Sequence, residues 1–127
     1  MPRQISAISI LRKADKWFNS SKRLTRDGSF GHTESGLRIL HASDMSLYVS
    51  PETPMKCMCS LGAVYYFGKN SYNPGSLRAE SLLSNAANEI FNTGIVTVND
   101  LYGFDAVKKV FSRAIEMEDG GYTHETI

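Results

Sequence analysis

Apolar residues recur at helical spacing along most of this chain. In the first segment, about residues 4–19, Ala7, Ile10, Leu11, Ala14, Trp17 and Phe18 fall at i, i+3, i+4, i+7, i+10 and i+11, with Arg12, Asp15 and Lys16 opposite. This pattern predicts an amphipathic helix whose stripe must be covered. Asn19-Ser20-Ser21 reads as its end. A second helix is expected after Pro54, because proline is tolerated only near a helix start and nothing breaks the pattern until Gly68. Cys57, Leu61, Val64 and Tyr65 form its stripe. Gly62 inside it costs about 1 kcal/mol against alanine, which points to another element packing closely there. Asn73-Pro74-Gly75-Ser76 reads as a turn with Ser76 as N-cap. It leads into a central helix over about 77–92 that carries Leu82, Leu83, Ala86, Ala87, Ile90 and Phe91. Ile95-Val96-Thr97-Val98 looks like a short extended link, and Thr97-Val98-Asn99-Asp100 has capping-box spacing. The last helix, about 104–117, places Val107, Val110, Phe111, Ala114 and Met117 on one face. The tail from Glu118 is polar and Gly-rich and is expected to fray.

Residues 20–55 break this regularity. No helical period lasts more than a turn, and Leu37–His41 and Ser46–Val49 read as short strands joined by Ala42-Ser43-Asp44-Met45, a connector of hairpin length. The expected fold is mainly α: a compact four-helix, or four-to-five-helix, domain with a long irregular or hairpin-containing insertion at about 20–55. Residues 1–127 form a single domain, with 118–127 as its tail. A loop of that length inside a compact domain is often a functional one.

Composition narrows the classes. The 127 residues carry 14 Lys+Arg and 13 Asp+Glu, a net charge of +1, which argues against a general bias toward nucleic acid or membrane. No apolar run reaches the roughly 20 residues of a membrane span. The two cysteines, Cys57 and Cys59, are too close for an unstrained disulfide, and Met1–Gln4 runs into the first helix rather than a signal segment, so the cytoplasm is the expected compartment. His32, His41 and His124 are scattered, and Asp27, Asp44, Asp100 and Asp105 sit where aspartate commonly caps turns and helices, so neither a metal nor another cofactor is expected.

Two segments resemble a family of short, uncharacterised proteins of bacteria and phages. Cys57-Met58-Cys59-Ser60-Leu61-Gly62-Ala63 is similar to its C-x-C-x-L-G-A block. Asn99-Asp100 through Gly103, with Phe111-Ser112-Arg113-Ala114-Ile115 further on, resembles its N-D-x-x-G segment and following helix. Arg26-Asp27-Gly28 matches a weaker upstream block. The resemblance runs from the first helix to about residue 117, with 29–50 divergent. It implies a phage or bacterial origin and a cytoplasmic helical domain, and brings no activity with it.

Two chemistries compete for these residues. A cysteine hydrolase or transferase would use Cys57 or Cys59, with Cys57 near a helix N-terminus, His41 or His32 as base and Asn99 or Asp100 as orienter. Against it stand the ordinary roles of cysteine as a small core residue and of Asn99-Asp100 as a cap. The alternative is a binding surface. Phe30, Met45, Tyr48, Tyr72 and Tyr102 fall largely in or beside loops, where Tyr and Met offer contact area at low entropic cost, and Lys22, Arg23 and Arg26 add positive charge. The reading this favours is a small non-enzymatic binding protein that acts on a host protein or protein complex by steric occlusion; with the origin that the resemblance implies, it is expected to be a phage-derived inhibitor of a host defence or regulatory complex. A homo-oligomeric structural or regulatory module is a further alternative.

Overall fold

The structure, a computed structural model, describes residues 5–50, 52–69 and 73–120. The chain is mainly α. Helices α1 (Ala7–Trp17), α4 (Pro74–Phe91) and α6 (Phe104–Asp119) pack on one another, and α3 (Ser60–Phe67) lies against α1 and α4. Their stripes meet as the patterning predicts. Ile10, Leu11, Ala14 and Phe18 face Leu82, Leu83 and Ala86 and the α6 row of Val107, Val110, Phe111 and Ala114, all buried. The Phe18 and Phe111 rings sit 5.8 Å apart near its centre. Alanine at 14, 79, 86, 87 and 114 lets these helices approach closely. No helix among the described residues is long and apolar enough to cross a membrane.

The remaining elements correct the expectations. Residues 42–48 form a helix, α2 (Ala42–Tyr48), not the connector and second strand of a hairpin. Met45 and Val49 are buried four residues apart, and Asp44 lies in the favourable first turn. A short apolar run cannot be assigned to helix or strand from periodicity alone. The strands are β1 (Gly31–Thr33), β2 (Arg38–Ile39) and β3 (Met55–Met58), in the antiparallel order β2-β1-β3. Residues after Pro54 are therefore extended, with Met55 and Met58 buried and Lys56 exposed, and the helix begins only at Ser60. Cys57 is thus a strand residue, and Cys59 is the N-cap. Insertion 20–55 does not lie wholly outside the core, since Leu24, Thr25, Ile39, Met45 and Val49 are buried in it. The N-cap of α4 is Asn73, whose side chain accepts from the Gly75 N–H at 3.0 Å with Pro74 in the first turn; Ser76 is fully buried. Finally, 95–98 is not extended. Ile95–Thr97 forms the short helix α5, continued by a π-type turn over Val98–Tyr102, because burying both Ile95 and Val98 on one helical side overrides their β preference.

Candidate functional site

Three segments far apart in sequence are tied together by one buried carboxamide. Asn99 Oδ1 accepts from the Ser60 N–H at 2.8 Å and from the Ser60 hydroxyl at 2.7 Å. Its Nδ2 donates to the Thr25 carbonyl at 2.8 Å and to Asp100 Oδ1 at 3.0 Å. Every hydrogen-bonding position of the carboxamide is used. The π-type turn carries Asn99 to this point. It closes with the Gly103 N–H on the Val98 carbonyl at 3.1 Å, and Gly103 adopts φ +89°, where a side chain would be strained. Next to the clamp, the Cys59 N–H donates to the Phe30 carbonyl at 3.0 Å and Cys59 Sγ accepts from the Gly62 N–H at 3.2 Å. Gly62 is required here: a Cβ would fall inside the Phe30 carbonyl oxygen, which is the close packing its position predicts.

Where the three segments meet they leave a crevice of about 410 Å³, counting the solvent at its mouth. Phe30, Leu61, Ile95 and Val96 make its apolar walls, and Asp100 is the one acidic or basic residue among the described residues of its lining. The space within it, without that solvent, is about 100 Å³, smaller than the pockets that enclose whole small molecules. Beside it, Val96, Leu101 and Tyr102 hold their side chains outward, with Leu101 70 % exposed. Phe30 is braced from behind by Tyr65, rings 5.8 Å apart, and Tyr65 donates to Glu80 at 2.8 Å.

The sulfur at the crevice is a poor nucleophile. Burial pushes the Cys59 thiol from 9.0 up to about 11, against the pull of the Gly62 and Leu61 N–H groups, and the nearby Asp100 charge raises it further. Cys57 lies elsewhere, on the outer face of the sheet. There Arg38, His32 and Cys57 form one row across the three strands. His32 Nε2 meets Asp27 Oδ2 at 2.9 Å, and Arg38 Nε lies 3.5 Å from the same oxygen. The Ser29 hydroxyl, donating at 2.6 Å, is the main reason the Asp27 carboxyl is held well below the usual carboxylate range.

The residues singled out from the sequence divide between several places. Phe30 lines the crevice; Arg26 donates to the Asp100 carbonyl from Nε at 3.2 Å and Nη2 at 2.9 Å; Tyr102 stands on the π-type turn, its ring 5.3 Å from that of Phe91. Tyr48 is exposed on α2 and Lys22 on a 3₁₀ turn, Ser21–Arg23. Arg23 covers the Trp17 ring at 4.9 Å and donates to the Trp17 carbonyl. Met45 is buried among core residues and is not available to a partner. Tyr72 and His124 lie outside the described residues. Asn99 bonds Ser60, Thr25 and Asp100, while His41 sits exposed at the start of α2, beyond the opposite edge of the sheet from Cys57. Asp27 is engaged with His32 and Arg38, while Asp44 and Asp105 lie in the first turns of α2 and α6. Among the described residues no group of three or more His, Cys, Asp or Glu is placed to hold a metal ion. Sequence reasoning missed Val96 and Leu101; the available signal for the second was a large aliphatic directly after Asn99-Asp100 that belongs to no helical stripe. Comparison with protein-family models, with curated proteins and with solved structures finds no match for this chain.

Proposed function

We propose that this chain is a non-enzymatic binding protein that recognises a host protein or protein complex and blocks it sterically. The observation that carries the reading is apolar surface held out on a fixed frame. Val96, Leu101 and Tyr102 project beside a preformed crevice, while the carboxamide and the thiol there are committed to the fold. The Asn99 carboxamide is saturated by Ser60, Thr25 and Asp100, and Cys59 is a neutral cap. Large apolar and aromatic side chains around a pocket are the usual anchors of a protein interface. Stable occlusion needs about 800 Å² from each partner, so contacts would extend beyond the crevice. Arg26 at one side suits that extension. A phage-derived inhibitor of a host machine is the biological form that the resemblance favours.

The test is capture from host lysate by the tagged chain, beside variants Leu101→Asp and Tyr102→Asp. Both side chains are exposed, so the fold should survive. A specific partner retained by the wild type and lost by both variants is expected. No specific partner at micromolar protein, or equal retention by the variants, overturns the reading.

A further inference from the structure

Resting on that reading, we propose that the crevice receives an arginine side chain of the partner protein. An arginine has a long apolar stem and a planar, always charged head. The crevice offers the complement of each. Phe30, Leu61, Ile95 and Val96 supply apolar wall, and Phe30 adds a half-buried aromatic ring over which a guanidinium can stack. Among the described residues Asp100 supplies the one charge in the lining.

That carboxylate is unneutralised in an informative way. Among the described residues it accepts one hydrogen bond, from Asn99 Nδ2 at 3.0 Å, and takes part in no ion pair. The neighbouring Arg26 spends both Nε and Nη2 on the Asp100 backbone carbonyl instead. The other neighbouring charges, Asp27, His32 and Arg38, close on one another. A partly desolvated carboxylate with open lone pairs at an apolar wall gains more from a guanidinium than an exposed one does, because a charge-assisted, forked hydrogen bond forms where water is already thinned.

The probe is the peptide Ac-Gly-Arg-Gly-NH₂, against its citrulline counterpart, which keeps the shape and lacks the charge. Amide resonances of the ¹⁵N-labelled chain report the site. The arginine peptide is expected to shift Gly28, Leu61 and Val96, with affinity on the order of 1 mM for one side chain. The citrulline peptide, and the arginine peptide on Asp100→Asn, should bind at least about tenfold more weakly. Equal binding of the two peptides, no loss in Asp100→Asn, or no shift at those three amides overturns the proposal. Lysate capture separates the two levels. Retention that is lost on Leu101→Asp but unchanged by Asp100→Asn keeps the binding protein and removes the arginine. If no partner is captured, the parent reading falls, and arginine recognition falls with it unless the peptide arm is positive.

Discussion

Replacing Asn99 with alanine should be the most damaging single truncation at the crevice. The change strands three groups that have no route to solvent: the Ser60 N–H, the Ser60 hydroxyl and the Thr25 carbonyl, in residues 1 % and 5 % exposed. Each lost bond is worth about 1 kcal/mol net, and each stranded group about 1–3 kcal/mol. A water entering the space left by the carboxamide would recover part of that. The expected loss is therefore about 3–4 kcal/mol, against a total of roughly 6–19 kcal/mol for a chain of this length. At about 2.1 cal/mol/K per residue of unfolding entropy, the melting midpoint should fall by roughly 11–15 °C. Urea unfolding of Asn99→Ala, Ser60→Ala and the double variant separates clamp from cavity. Ser60→Ala alone should cost about 1–2 kcal/mol and add little once Asn99 is gone, a coupling of about 1–2 kcal/mol. A loss below about 1 kcal/mol for Asn99→Ala, with additive single effects, would refute the view that this carboxamide holds the three segments together.

Three further outcomes follow from the same geometry. Gly62→Ala should cost about 2–3 kcal/mol, because the new methyl meets a backbone carbonyl that cannot rotate away, and a thermal midpoint within a few degrees of wild type would contradict it. Asp27, with its folded pKa depressed below the ordinary 3.8, contributes stability that is present above that value and is lost progressively as pH falls from there through the depressed folded pKa. The gap in urea midpoint between wild type and Asp27→Asn should thus shrink from roughly pH 5 to pH 2, and a constant gap refutes the assignment. Cys59 has a raised folded pKa, so its contribution is intact below 9.0 and fades as pH climbs toward about 11. Cys59→Ser, which keeps an N-cap acceptor, should fold near wild-type stability under reducing conditions and lose less than wild type over that alkaline interval; parallel curves would count against burial as the cause.

What the sequence disclosed and what it hid divide along the range of the forces involved. The stripes of α1, α4 and α6 were legible because a 3.6-residue period repeated over three or more turns has one physical solution, burial of that face. Gly62 was legible as a close contact, since its cost inside a helix demands one, but not as a contact with the Phe30 carbonyl; nothing local specifies which backbone arrives. The short elements went the other way. Ile95–Val98 carries strong β preference, yet Ile95 and Val98 are needed on the same side of one turn, and that requirement comes from α4 and α6, not from the four residues themselves. Cys57 was expected at a helix start because Pro54 precedes it, but pairing with β1 extends the chain for four more residues and hands the cap to Cys59. The crevice inherits this pattern. Asn99-Asp100 read as a local cap, which is the correct residue type for the wrong partner: the amide satisfies the start of α3, thirty-nine residues away, rather than its own helix. A cap that reaches across the fold turns a helix-stop signal into a joint between segments. The side chains projecting on either side of that joint, Val96 and Leu101, are exposed because the joint itself must be buried.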